Sequence, residues 1–222
     1  MKLLSVNVGR PKSVPYTNSP GNLTGIDKQP VDGPVRVTAP GPKGIGGSGL
    51  AGDSIGERRH HGGNDQAVYA FAREDLDEWG RELGRELRNG MFGENLTTTG
   101  VDVNGALIGE RWRVGAELLL EVTSSRIPCR TFQGHMDEQS WVRRFTQALR
   151  PGAYLRVLEP GEIQTGDAIE IAYRPDHDVT VALQFRAVTA ERALLPRLLA
   201  AGDALHPEAT EKALKYLEKH GG

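Results

Sequence analysis

Residues 39–66, "APGPKGIGGSGLAGDSIGERRHHGGNDQ", run through glycine after glycine with no apolar period. Glycine weakens helix and strand interiors but permits tight loops that bring backbone N–H groups close to a ligand. The same punctuation recurs upstream, where "NSPGNLTGIDKQPVDGP" forces turns between the alternating residues 1–9 and "VRV" near 35. With 28 glycines and 13 prolines in 222 residues, the chain must build its core from short pieces.

Those pieces read mainly as strands. "AVYAF" (67–71) is one, and "AELLLEVTS" (116–124) has the apolar density of a buried strand. "AYLRVLEPGEIQTGDAIEIAYR" reads as two strands about the Pro160–Gly161 turn. Two helices interrupt them. Leu76, Trp79, Leu83 and Leu87 share one stripe behind Glu74 and Asp75, which predicts an amphipathic helix from Arg73 to about Asn89–Gly90. Trp141, Phe145 and Leu149 mark a shorter one. Many short strands, few helices and abundant glycine favour a closed or partly closed β-barrel over a doubly wound sheet.

After "YRPDHD" glycine thins out and apolar residues recur at helical spacing in "VALQFRAV", "ERALLPRLLAA" and "PEATEKALKYLEKH". The composition divides the chain into residues 1–175, the strand-rich domain, and 176–222, a three-helix segment too small for much core of its own. Thr180 and Thr189 suit helix caps, and Pro207 suits a first turn.

A formal net charge of −2 gives no bulk positive field to hold nucleic acid or anionic lipid. No run of about 18 apolar residues spans a membrane, and "MKLLSVNVGRPK" lacks a leader's cleavage site, so a cytoplasmic protein is expected. Cys129 is the sole cysteine, which rules out an intrachain disulfide and paired-cysteine zinc motifs.

Taken alone, such a thiol reads as a small buried hydrophobe. Its setting in "SSRIPCRTF" at a strand end argues for chemistry, because Arg126 and Arg130 favour a thiolate and Pro128 stiffens the approach. A thiolate attacks carbon, ligates a soft metal or carries sulfur. His60 and His61 read either as surface residues of a glycine turn or as proton donors beside an anion held by Gly62 and Gly63 N–H groups. Lys28, Lys43, Arg58 and Arg59 are either solvated charge or phosphate ligands. Glu94 and Asn95 in "FGENLT" either brace a loop or meet the edge of a heterocycle.

"GLAGDSIGERRHHGGNDQAVYAFAREDLDEW", "FGENLTTTG" and "IGERWRVGAELLLEVTSSRIPC" follow one another in an order that resembles the MOSC domain family, named for the C-terminal domain of molybdenum cofactor sulfurase. The resemblance spans roughly residues 20–175, and the three-helix tail resembles that of the bacterial stand-alone branch. It implies a β-barrel holding a molybdenum cofactor, molybdopterin with the metal, ligated by the Cys129 thiolate. His61 and His60 then become catalytic candidates, and Lys28, Arg58, Arg59, Gly62, Gly63, Asn95 and Arg126 candidates for the pterin and its phosphate. The position before H-G-G, usually aliphatic in the family, is His60 here. Stand-alone relatives and the mitochondrial amidoxime-reducing component imply a reductase of N-hydroxylated compounds, with two electrons and two protons converting N–OH to amine and water. No flavin, haem or iron–sulfur motif is visible, so electrons would come from a separate reductase. A homodimer is the base-rate expectation. The competing expectations are a carrier of the cofactor or of a Cys129 persulfide without reductase activity, and a small-molecule-binding barrel without metal.

Overall fold

The structure is a computed structural model that describes residues 1–220. Its strands are β1 (Lys2–Gly9), β2 (Lys12–Ser13), β3 (Leu23–Thr24), β4 (Lys28–Pro30) and β5 (Val35–Val37), then β6 (Val68–Ala72) leading directly into helix α1 (Arg73–Leu83). Next come β7 (Leu96–Thr99), β8 (Arg111–Val114), β9 (Leu118–Ser125), α2 (Arg130–Met136) and α3 (Trp141–Ala148). The chain continues through β10 (Ala153–Glu159), β11 (Gly161–Ile163), β12 (Ile169–Tyr173), α4 (Val181–Thr189), a 3-10 stretch (Arg192–Ala204) and α5 (Pro207–His220).

Eight strands form one mixed sheet in the order β12-β8-β9-β10-β6-β7-β1-β4; β6 and β7 pair parallel and the other neighbours antiparallel. The ladder is open in that order. Its far parts meet at an isolated bridge between Lys2 and Ala168, where Leu3 N–H donates to Asp167 O at 2.9 Å, Ile169 N–H to Met1 O at 3.0 Å and Gly166 N–H to Leu3 O at 2.8 Å. The sheet-rich expectation therefore holds, but the helices are several rather than few, and a continuous closed barrel ladder is not formed.

β9 is buried along its whole length, as its apolar run requires, and ends at Ser125 just before the cysteine loop. An aliphatic core on the sheet includes Leu3, Leu118 and Leu120 and extends without a break into Leu183, Leu195, Leu198 and Ala213 of the tail. A second, aromatic core gathers Phe71, Trp79, Phe92, Phe132, Trp141 and Phe145, with Cys129 at its margin.

Several sequence expectations are corrected. α1 stops at Leu83 because Gly84 adopts φ 64° and turns the chain; Leu87 still reaches the aromatic core, but from a loop. The region after residue 153 holds three strands: β11 pairs with β5 rather than folding back on β10 about Pro160. A helix follows Cys129 that the apolar pattern does not announce. Thr180 caps α4 by accepting from Leu183 N–H at 3.0 Å, but Thr189 ends that helix, its hydroxyl donating to Phe185 O. Pro196 lies inside the middle tail segment, which is 3-10 rather than α, since proline has no N–H to continue an α turn.

The tail is fastened to the strands that carry the cysteine loop. Gln184 Oε1 accepts from Ser125 N–H at 3.0 Å, and His206 N–H donates to Thr123 O at 3.2 Å. Lys43 in the glycine-rich segment pairs with Glu208 at the start of α5.

Candidate functional site

The glycine-rich segment, the 17–28 loops and the end of β9 converge on one open cavity of about 120 Å³. Cys129, Arg126, His61, Gly62, Lys28 and Asn95 line it, joined by Asp53, Gln66, Tyr69 and Tyr154. Cys129 is half-buried and free, in extended backbone (φ −135°) immediately before α2. The strand-end thiol expected from sequence is therefore at a cavity wall rather than sealed in packing.

Arg126 is 7% exposed and forms no ion pair among the described residues. It donates to Phe92 O, and its guanidinium lies 4.0 Å from the Phe132 ring centroid and 5.1 Å from that of Tyr69. Burial works against this charge, but Tyr69, Tyr154 and Cys129 around it hold the pKa above the ordinary arginine value. It is a buried cation in the cavity wall without a carboxylate partner among the described residues.

Lys28 is different. Burial pushes its pKa down, and Asp53 opposes the shift through an ion pair. Asp53 also accepts from Gly9 N–H at 2.7 Å and from Asn95 Nδ2 at 2.9 Å. The Asn95 amide is committed at both ends: Nδ2 also donates to Asn7 O at 3.3 Å, and Oδ1 accepts from Tyr69 N–H at 3.1 Å. Neighbouring Glu94, wholly buried, accepts from the N–H groups of Gly90 and Phe92 and from the Thr97 hydroxyl. "FGEN" is thus a brace that holds β6, β7 and the 90–95 loop together, as the loop-bracing reading expects, while Asn95 also lines the cavity.

His61 lines the cavity, and burial first, then the Arg126 charge, lower its pKa to about 4. It is a neutral imidazole at pH 7 and not the ready acid that the ordinary histidine pKa suggests. His60 is exposed and lies outside the cavity wall, which decides which of the two histidines faces the site. Arg58 and Arg59 are exposed as well: Arg58 donates to Ile45 O at 3.2 Å, and Arg59 chelates Glu57, holding that carboxyl down at about 2. Arg130 is also exposed and turns toward Asn18. Of the paired N–H donors expected at Gly62 and Gly63, the Gly63 N–H is taken by Gly47 O at 3.1 Å. Gly62 has φ 77°, and a Cβ there would meet Gly47 O at 2.5 Å, so the turn that presents His61 needs glycine.

Asp53, Gln66, Tyr69 and Tyr154 were not singled out by sequence. Tyr69 sits in a strand that reads as core, and Tyr154 reaches it only through the β6–β10 pairing, their rings 5.1 Å apart. Burial raises both phenol pKa values, so both keep their protons at neutral pH.

The MOSC domain profile matches residues 57–170. YflK of Bacillus subtilis (strain 168) is 31% identical over 179 residues, 81% of this chain and 76% of that protein. YiiM of Escherichia coli (strain K12) is 30% identical over 164 residues, covering 72% and 69% respectively. A protein of Gibberella moniliformis named "Reductase" is 32% identical over 177 residues, which make up 29% of its own length. The crystal structure of YiiM from Geobacillus stearothermophilus superposes with a TM-score of 0.77 at 27% identity, covering 97% of this chain and 98% of that one.

Proposed function

This chain belongs to the MOSC domain family, whose domains are associated with the molybdenum cofactor, and from that premise we propose a molybdenum-cofactor-dependent reductase of N-hydroxylated compounds. The donor set fits such a group. Among the described residues no three His, Cys, Asp or Glu side chains gather to hold a metal ion, so a metal bound here brings ligands of its own. Cys129 offers a soft sulfur, and Arg126 a buried charge for an anionic carrier. The observation that carries the proposal is that one cavity wall holds both a free thiol and a buried guanidinium that no carboxylate pairs with among the described residues.

When bound, the cofactor would supply two-electron, oxygen-accepting chemistry toward an N–OH group, with electrons from a separate reductase. The chain's own residues bind, orient and protonate. Arg126 balances the anionic carrier, while the Lys28–Asp53–Asn95 linkage keeps the wall in place. The departing oxygen needs protons. Tyr154 lines the cavity, and its hydroxyl stays protonated and has no hydrogen-bond partner among the described residues, which makes it the candidate donor within the site. An anion beside Arg126 offsets only the second cause of the lowered His61 pKa, and burial, the first, still holds the imidazole neutral.

The test is the molybdenum-to-protein ratio of chain produced in a molybdenum-replete host, wild type against Cys129→Ala, followed by reduction of 6-hydroxylaminopurine with a chemical electron donor. Metal in the wild type, its loss in Cys129→Ala and turnover of the purine support the proposal. Metal without turnover indicates a carrier, and no metal in the wild type retires both readings.

A further inference from the structure

Gln66 ends the short 3-10 turn Asn64–Gln66 that follows Gly62 and Gly63, and it lines the cavity together with His61, Tyr69, Arg126 and Tyr154. Its backbone is held: Gln66 N–H donates to Gly63 O at 3.1 Å, and the preceding carbonyl of Asp65 accepts from the Thr123 hydroxyl at 2.6 Å. Its side chain is not held, because Oε1 is buried without a hydrogen-bond partner. Buried polar atoms in folded proteins are nearly always paired, so an orphan carbonyl in a cavity wall marks a place for a donor that arrives with a ligand.

A carboxamide presents an acceptor and a donor side by side in one plane. The complementary ligand edge is an N–H next to a ring nitrogen or carbonyl, as on pterins and purines. Aromatic surface lies close by: Tyr154 lines the cavity with its ring packed 5.1 Å from that of buried Tyr69, and the Arg126 guanidinium lies 5.1 Å from the Tyr69 centroid. Asn95, the residue that sequence offers for this role, has its amide engaged at both ends by Asp53, Asn7 and Tyr69.

We propose that Gln66 binds the donor–acceptor edge of a planar nitrogen heterocycle, its carbonyl accepting from the ligand's N–H and its amide donating to the adjacent ring acceptor. This rests on the reductase reading, in which two such rings enter the cavity: the pterin of the cofactor and an N-hydroxylated purine substrate.

The experiment compares wild type, Gln66→Met and Gln66→Glu, all purified from a molybdenum-replete host. Two readouts do not depend on turnover: the pterin released per chain by oxidative extraction, measured by fluorescence, and the Kd for 6-hydroxylaminopurine by calorimetry. If the pterin is the ligand, Gln66→Met retains about a tenth of the wild-type pterin. If the purine is the ligand, pterin content is unchanged and the Kd for 6-hydroxylaminopurine rises about tenfold, while that for phenylhydroxylamine, which has no ring nitrogen or carbonyl beside its N–H, does not move. Either outcome supports the proposal. Wild-type pterin content and wild-type purine affinity in both variants overturn it.

Gln66→Met removes an unpartnered polar atom and keeps the side chain's length, so it should melt no lower than wild type. Should it fail to fold, Gln66→Glu decides, since it keeps the acceptor and loses the donor. A wild type without molybdenum overturns the reductase reading, but a purine affinity that still falls in the Gln66 variants leaves the present inference standing.

Discussion

Asp53 takes the Lys28 ammonium on one carboxylate oxygen and the Asn95 amide on the other, and the side chains of the ion pair are only 8% and 1% exposed. Breaking a buried pair from one side leaves an uncompensated charge, at about 3–5 kcal/mol. Asp53→Asn should lower unfolding free energy by that order. Lys28→Met should cost less, because Asp53 keeps its bonds from Gly9 N–H and Asn95. Urea unfolding of both variants and of the double variant checks the coupling; a double variant as unstable as the sum of the singles would show none.

Arg126 binds anions in this cavity if its unpaired charge faces them. Arg126→Met keeps most of the contact with the Tyr69 and Phe132 rings and removes the guanidinium. The wild type should gain thermal stability in inorganic phosphate, by the usual linkage of ligand to folded state, and Arg126→Met should not. An equal phosphate-induced rise in both would assign the anion to other residues.

Stability should fall on acidification through the histidines. The folded pKa of His61 is about 4 against an ordinary 6.5, and burial also lowers those of His135 and His206. Each neutral imidazole contributes stability that is complete above about pH 6.5; for His61 it is lost as pH falls toward 4, because the unfolded chain takes the proton first. Thermal melts between pH 7 and 4 should show the decline, and His61→Gln should flatten it.

Tyr154→Phe should leave folding intact, since the hydroxyl has no partner among the described residues, yet slow N–OH reduction by about 10²-fold if the phenol is a proton donor. The matching observation is a fall in kcat with molybdenum content unchanged. A wild-type kcat would move the proton to His61 or to water.

Glu94→Gln tests the loop brace. The substitution sets an NH₂ group among three donors that now point at a carboxylate, at a cost of about 1–3 kcal/mol. Hydrogen exchange of the Gly90 and Phe92 amides should accelerate well beyond that of β9.

Much of this protein is written in local pattern. The all-buried run of β9, the stripe that places Leu76 and Trp79 inward and the glycines of 39–66 are consequences of side-chain period and backbone freedom within a few residues. They suffice to place Cys129 at a strand end, and the order of the "HHGG", "FGEN" and "RIPC" segments points to the family. Which side chains face the cavity is another matter. His60 and His61 are adjacent in sequence, yet only the second lines the wall. Arg58, Arg59 and Arg126 carry the same charge, yet two are exposed and one is buried.

Those outcomes depend on partners far along the chain, and no local period encodes them. Asn95 is engaged because Asp53, 42 residues away, arrives at its amide, and Tyr154 joins the site because β10 pairs with β6 in one register. Gln66 is unengaged because no such partner arrives. Sequence alone determined the strand-rich class, the glycine loop and the place of Cys129 just past a strand end; tertiary structure decided which polar groups satisfy one another and which are left for a ligand. The reason is that a hydrogen bond or ion pair joins groups within a few ångströms in space, and only the closed fold sets that distance for residues far apart in the chain.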